Sequence, residues 1–581
     1  MHMSRVWGVI LVIISLGYSQ NSEKFSYALQ QQVNDISGEK SLFVWVFFKD
    51  KGIDLGEKLA IAEQNLLPKA RERRKRHFKS ESGLVDFHDL PVSKSYLQKL
   101  SEVSLEIRQK SRWLNAVSVE VARDNLHQIA TLSFVRYLDL VFIKDEPIPV
   151  VDFSAAVSPD VPENTEVLNY GESLEQNQQI NVISLHNMGY DGSGVLIAML
   201  DAGFNNLEHQ ALKHLNILAS WDFVNGDSVV WDEPGQMGTG NHGTWTLSAL
   251  AGFKDGFLIG PAYGADFLLA KTENTDWERH VEEDAWIAGA EWADSLGADI
   301  ISSSLGYFNG FTNGDTNYTW QDMDGNTTIV TRGADMAAGR GILVVNSAGN
   351  EGFPYLPVEN TLIGPADGDS VLAIGSVRSD GTRSSFSSMG PTVDGRIKPD
   401  VMARGSQTFC ASVSDTVSYS RVSGTSLSCP LVAGAAALVL QVNPNFTNMD
   451  IIHALHNTAS QASNPNNQYG WGIIDAFQAA SPITAVQTSQ PEIIRTLRIY
   501  GNYPNPFNPT TTITFDVPSA GYLNLSVYNL VGEQVTELIR GWTEGGTHNV
   551  TWNASNLSSG MYLIVLENAQ NRTISKALLV K

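Results

Sequence analysis

Three textures of apolar and polar positions follow one another along the chain, and each predicts different elements. Between 41 and 144, short hydrophobic runs alternate with charged stretches. Residues 43–48 form an unbroken run rich in aromatics, and 57–78 carry Arg71, Arg73, Arg74, Lys75 and Arg76. Residues 105–108 and 116–121 alternate with period two, 123–132 reads as a helix, and 135–143 closes the segment. Strand, helix, strand, strand, helix, strand is the order of a small split βαβ sandwich. The basic run is expected to be a solvated helix face, with a dibasic processing site the weaker reading.

Residues 145–178, with Pro147, Pro149, Pro159 and Pro162 among polar and acidic neighbours, read as a linker open to proteolysis. From 179 to 480 the texture changes to near-continuous hydrophobic runs at 195–200, 266–270, 300–303, 342–346 and 371–377. Such runs suit parallel strands buried on both faces, with helices at 245–251, 281–295 and 333–340 between them. An α/β sandwich follows. After a second polar linker, 481–497, short alternating strands are expected at 511–517, 522–528, 534–538, 547–552, 561–567 and 577–580. With Gly521, Gly532, Gly545, Gly546 and Gly560 as punctuation, residues 498–581 predict a small antiparallel β-sandwich.

Composition narrows the class. Of 581 residues, 43% are hydrophobic and 17% charged, which excludes a disordered or fibrous chain. The net charge of −23 argues against a nucleic-acid binder. It is unevenly spread: +3 over 1–150 against −26 over 151–581, a difference that draws the two parts together. Residues 1–19 have Arg5, an apolar stretch at 6–16 and the small residues Gly17 and Ser19, the features of a secretory signal peptide; a single N-terminal anchor is the alternative. No later stretch reaches 18 apolar residues without a charge, so the mature protein is expected to have no transmembrane segment. Two cysteines, Cys410 and Cys429, are too few for a disulfide scaffold, and both a bridge and two buried thiols remain open.

The α/β segment holds the chemistry. Asp201-Ala202-Gly203 stands at the carboxyl end of a predicted strand, where open α/β sheets place their ligands. Asn241-His242-Gly243-Thr244 opens a predicted helix. Gly424-Thr425-Ser426-Leu427-Ser428-Cys429-Pro430 precedes an apolar helix at 431–442, and Ser347-Ala348-Gly349-Asn350 follows another strand. Acyl transfer needs a hydroxyl, a base for its proton and a carboxylate to fix the base's tautomer, and Ser426, His242 and Asp201 offer all three. Asn350 offers a donor to a tetrahedral oxyanion. Each motif alone is more often a turn or a helix cap. Four of them in the order Asp, His, Asn, Ser, each beside an element end, reverse that balance. A nucleophile elbow of the form G-x-S-x-G fails because Ser428 holds its last position, and a phosphate-loop reading lacks the lysine.

Over about 165–480 the chain resembles the subtilisin-like serine proteases, whose triad runs in the order Asp, His, Ser. Further matches are Ser304-Leu305-Gly306, Lys398-Pro399-Asp400-Val401 and the closing segment from Tyr469 to Ala476. The resemblance implies a three-layer sandwich and a secreted endopeptidase acting on proteins or peptides. In it Ser426 is the nucleophile, His242 the base and acid, Asp201 the orienting carboxylate, and Asn350 with the Ser426 N–H the oxyanion hole. It also implies that Ser304, Leu305, Gly306, Ser347, Ala348 and Gly349 bind the substrate, with room for a large apolar side chain. No cofactor is required for the chemistry; structural calcium is common in relatives, but no loop is dense enough in carboxylates to name a metal ligand. Ala202 stands where a hydroxyl residue is usual. Leu427 stands where methionine is common, and a leucine is not open to oxidation, so activity is expected to tolerate peroxide.

The flanks fit this picture. Residues 41–144 resemble an inhibitor-type propeptide, a partner made by the chain itself. The tail, with Asn502-Tyr503-Pro504-Asn505-Pro506-Phe507-Asn508-Pro509 and Ser559-Gly560-Met561-Tyr562, resembles sorting domains of the bacterial type IX export machinery. That implies export across an outer membrane, to the cell surface or the medium. A generic adhesive sandwich for the tail, and a catalytically silent binding protein for the whole, are the rival readings.

Overall fold

A computed structural model describes residues 23–35, 41–143, 168–312, 315–352, 360–481 and 497–580, apart from 504, 506, 518–520, 544–545 and 569–570. The expected signal peptide, most of the 145–178 linker and 482–496 lie outside the described residues. The chain divides into two units, 1–481 and 482–581.

In the first unit, α1 (Tyr27–Asp35) precedes β1 (Ser41–Phe48), α2 (Leu55–Gln64), α3 (Pro68–Phe78), α4 (Lys94–Ser101), β2 (Glu106–Ser111), β3 (Ala116–Ala122), α5 (Leu126–Thr131) and β4 (Val135–Ile143). The sheet order is β2-β3-β1-β4, with antiparallel neighbours throughout. β1 explains its unbroken hydrophobic run. Leu42, Val44, Val46 and Phe48 enter this segment's own core, while Phe43, Trp45 and Phe47 join a second core shared with the residues beyond 180. Both faces of the strand are therefore buried.

The following segment builds a seven-stranded parallel sheet in the order β13-β12-β11-β10-β5-β9-β6. Its strands are β5 (Leu196–Asp201), β6 (Asn216–Asp222), β9 (Asp266–Lys271), β10 (Ile300–Ser303), β11 (Leu343–Ser347), β12 (Val371–Val377) and β13 (Val401–Arg404), with two-residue strands β7 (Phe253–Lys254) and β8 (Leu258–Ile259) in a small hairpin. Short helices α6 (Leu174–Gln179) and α7 (Ile183–His186) lead in. Alternate residues of β5 face opposite layers: Ile197 and Met199 pack in the core that holds α8 (Asn241–Ala251) and α11 (Thr425–Val442). Leu196, Ala198 and Leu200 face α9 (Val281–Leu296) and α10 (Ile329–Ala338). The result is a helix–sheet–helix sandwich, over which the N-terminal sheet lays a further layer. α11 is long and apolar enough to cross a membrane, but it is the buried centre of this core. A hairpin of β14 (Thr408–Ala411) and β15 (Tyr419–Val422), and helices α12 (Asn448–Thr458) and α13 (Ala476–Ala480), complete the unit.

Two expectations need correction. The basic stretch is two helices rather than one, broken at Pro68, whose ring suits the first turn of α3 and no helix interior. Nor is it a solvated face: Arg73 and Arg74 are 1% and 2% exposed. Both grip Asp294 of α9, Arg74 at 2.9 Å, and Arg112 joins them at 2.7 Å. Arg76 and Lys69 pair with Asp299 at 3.0 and 3.1 Å. The positive N-terminal segment thus docks on carboxylates of the acidic one, and the partners lie more than 180 residues apart in sequence. Removing one member of such a buried group costs about 3–5 kcal/mol. Cys410 and Cys429 are both buried free thiols, which decides between the two readings of the cysteines.

The second unit has its own core around Phe507, Ile513, Phe515, Leu525, Trp552 and Ile564. A three-stranded sheet, β16-β17-β20 (Arg498–Tyr503, Thr510–Val517, Gly546–Asn553), and a four-stranded one, β19-β18-β21-β22 (Gln534–Thr543, Gly521–Asn529, Gly560–Glu567, Arg572–Leu579), form its sandwich. β16, which ends in Asn502-Tyr503, has no counterpart among the expected strands: its Gly501 and its polar residues give no alternation.

Candidate active site

The strand order reverses beside β5, since β9 and β6 lie on one side of it and β10 to β13 on the other. Such a reversal leaves a crevice outside the carboxyl ends of the strands. A cleft of about 590 Å³ lies there, and its walls include Ala202, His242, Ser304, Leu305, Gly306, Ser347, Asn350 and Ser426. Of the sequence-predicted residues, Asp201, Ala348 and Gly349 stay behind the wall.

Asp201 ends β5 and is fully buried. Its Oδ1 accepts the Ala202 N–H at 2.8 Å and pairs with His242 Nδ1 at 2.6 Å, while Oδ2 accepts the Thr246 hydroxyl at 2.9 Å. Thr246 escaped sequence reasoning, although it lies one helical turn beyond His242 and supplies a hydroxyl that Ala202 lacks. Glycines bring strand and helix this close. Gly203 has φ +120°, and a Cβ on Gly243 would stand 2.1 Å from the Gly203 carbonyl oxygen. The small residues of Asp-x-Gly and His-Gly are thus a packing requirement between the β5 turn and the start of α8. Burial alone would lower the His242 pKa, but the charge and hydrogen bond of Asp201 outweigh it, and the imidazole is held above its ordinary value. The side chain remains 29% exposed to the cleft.

Ser426 stands at the second residue of α11, where backbone N–H groups have no helical acceptor. α11 starts earlier than its apolar run suggested and carries Pro430 inside it. Proline has no N–H to give the carbonyl four residues before it, which is that of Ser426. The Ser304 hydroxyl takes that carbonyl at 2.8 Å, and the Ser426 hydroxyl in return donates to Ser304 O at 3.2 Å. This reciprocal pair ties the end of β10 to the serine. Ser426 and His242 both line the cleft, and among the described residues no hydrogen bond joins the Ser426 hydroxyl to the imidazole. Asn350 Oδ1 accepts the Thr425 N–H and hydroxyl at 2.9 and 3.1 Å, which leaves Nδ2 as the amide's free end at the cleft. Gly349 has φ +110°, and a Cβ there would stand 2.7 Å from Ser388 Oγ, so this turn admits no side chain.

One feature of the wall was invisible in the sequence. Glu273, Glu278 and Glu282, spread from the loop after β9 into α9, each place a carboxylate oxygen within 4.8 Å of the others. Burial raises all three pKa values, with repulsion from Glu278 adding to it at Glu273, from Glu273 and Glu278 at Glu282, and from Glu283 at Glu278, which is lifted to about 7.

A carboxylate–imidazole pair facing a serine at a helix N-terminus, in a crevice of a parallel α/β sandwich, is the arrangement of a serine hydrolase. Residues 192–472 match the subtilase family, 43–149 the peptidase S8 propeptide domain of Bacteroidota, and 502–581 the secretion system C-terminal sorting domain. Subtilisin NAT of Bacillus subtilis subsp. natto is 33% identical over 307 residues, 52% of this chain and 70% of that protein. Subtilisin DY of Bacillus licheniformis is 32% identical over 292 residues, 50% of this chain and 93% of that protein. The alkaline protease of Alkalihalobacillus alcalophilus is 28% identical over 362 residues, 62% of this chain and 82% of that protein. The chain belongs to the subtilase family; it is a serine endopeptidase with a propeptide domain and a C-terminal sorting domain, which marks it for export to the cell surface or the medium.

Proposed function

We propose that this endopeptidase hydrolyses peptide bonds through an acyl-enzyme on Ser426, and that the precursor matures by cutting itself within 145–178. The observation that carries the reading is the 2.6 Å contact of Asp201 with His242 in one cleft with Ser426 and Asn350. Ser426 Oγ attacks the substrate carbonyl carbon while His242 Nε2 takes its proton, and Asp201 holds the imidazole in the tautomer that leaves Nε2 free to accept. Negative charge then builds on the carbonyl oxygen, where Asn350 Nδ2 and the Ser426 N–H donate to it. His242 returns the proton to the leaving amine as the C–N bond breaks. Water repeats the sequence on the ester and regenerates the serine. The backbone of Ser304–Gly306 and Ser347–Gly349 is suited to pair with an extended peptide as an added strand.

In this reading 1–19 direct export, 41–144 fold against 179–480 and cover it until cleavage, and 498–581 serve type IX export across an outer membrane. The chemistry calls for no cofactor, and no calcium ligand is assigned. Intact mass of purified precursor over time, wild type beside Ser426→Ala, tests the proposal. Wild type is expected to shorten within 145–178 while the variant stays whole. If both stay whole, and removal of residues 1–150 yields no cleavage of casein, the proposal fails and a silent binding protein takes its place.

A further inference from the structure

We infer that Glu273 and Glu278 form an acidic subsite of the cleft that selects substrates carrying a lysine or arginine side chain beside the scissile bond. The inference rests on the cleft being the proteolytic site proposed above, and it names the class of substrate.

Among the described residues, four carboxylates line the cleft, Glu273, Asp276, Glu278 and Glu351, and no lysine or arginine does. Glu273 is 9% exposed and Glu282, behind it, 2%. Ordinarily a buried carboxylate is paired with a cation. Among the described residues, none of Glu273, Glu278 and Glu282 makes an ion pair with lysine or arginine. Arg279, next in the chain to Glu278, is engaged by Asp315 at 2.9 Å, and His280 by Glu283 at 2.7 Å and Thr316 O at 2.8 Å.

The group is also held in place. The Tyr307 hydroxyl donates to Glu273 at 3.0 Å, and the N–H groups of Asn274 and Arg279 both donate to Glu282 at 2.7 Å. Tyr307 directly follows Ser304-Leu305-Gly306, so a peptide paired along that segment runs beside the acidic wall. The Glu278 backbone carbonyl accepts the Thr312 N–H and hydroxyl at 2.9 and 3.2 Å, but its carboxylate accepts no hydrogen bond from the described residues and is the acceptor left for an incoming cation. Asn274 supplies an independent sign of a ligand: it is 2% exposed, it lines the cleft, and its side-chain nitrogen has no partner among the described residues. A nitrogen donor there suits a peptide carbonyl and does not suit a metal ion. A long cationic side chain whose backbone carbonyl meets Asn274 satisfies both kinds of group at once.

The experiment uses the matured full-length enzyme, its active sites titrated with a fluorophosphonate. Peptide pairs that differ only by lysine or arginine against glutamine are scanned through each position around the cleaved bond. The expected result is a kcat/KM ratio of at least about tenfold in favour of the basic peptide at one position, falling to within about threefold in Glu278→Gln. Glu273→Gln serves as a second variant should the first fold poorly. A ratio near one at every position in wild type, or a ratio unchanged in both variants, overturns the inference. So does a loss of thermal stability on chelation that Glu278→Gln abolishes, since the group would then be a divalent-cation site. If wild type takes up no fluorophosphonate and cleaves no peptide, the proposed function itself has failed.

Discussion

At the scale of single residues, the buried end of β5 governs the pH response. The activity proposed for His242 requires a neutral imidazole, and Asp201 holds the protonated form in place by charge and hydrogen bond. Because the His242 pKa is raised, activity is lost as pH falls through a value above that of an ordinary histidine. A pH profile of kcat/KM on a neutral peptide is expected to show this acid limb. In Asp201→Asn the stabilising charge is gone and the tautomer is wrong. The limb then moves to lower pH while kcat falls by roughly 10³–10⁴. A variant that loses rate but keeps the wild-type limb would show that Asp201 does not set the His242 titration. Ser304 acts at the same scale but through another residue: it takes up the carbonyl that Pro430 leaves without a donor.

Among elements, α9 has two jobs. One face closes the sandwich, and the other carries Asp284, Glu291 and Asp294 toward the N-terminal sheet, at spacings of seven and three that share one side of a helix. These carboxylates respond to docking in opposite ways. The guanidiniums of Arg73, Arg74 and Arg112 overcome the cost of burial and hold Asp294 below its ordinary value. Its contribution to docking is present above that ordinary value and is lost in acid. Asp284 is buried with Arg108 at 3.7 Å and Glu283 nearby; burial outweighs Arg108 and lifts it to about 7. Docking therefore favours protonated Asp284 and weakens as pH rises through about 7, and Glu291, also raised by burial, has the same sign. Cleaved propeptide is expected to leave the enzyme at least about tenfold more readily at pH 8.5 than at pH 5.5. Recovery of peptidase activity from the nicked complex, measured against pH, checks this; Asp284→Asn is expected to flatten the profile above pH 5.5. Little of this is legible in the sequence. The parallel strands are, because residues buried on both faces leave unbroken apolar runs. The Asp, His, Asn and Ser motifs are too, because each marks an element end by its glycines. A helix that buries arginines against carboxylates more than 200 residues away reads in sequence as a solvated one. Likewise, carboxylates at 273, 278 and 282, spaced by five and four, share no single strand or helix period, and only the turn into α9 brings them together.

At the scale of the whole molecule, the separate cores make the tail an address rather than a part of the enzyme. The apolar cluster of 497–580 draws on its own strands, and that of the catalytic sandwich closes with α13. Folding of residues 1–481 therefore does not need the tail's buried surface. A chain that ends at Ser481 is expected to mature and to cleave peptides with the kcat/KM of the full chain, and to unfold at the same temperature as that unit does in the full chain. What it should lose is export. In cells it is expected to accumulate inside the outer membrane, whereas the full chain reaches the surface or the medium. Fractionation with an activity assay on each fraction separates the two outcomes. Equal export of both chains would leave the sandwich as an adhesive module, and loss of activity in the truncated chain would show that the units fold together.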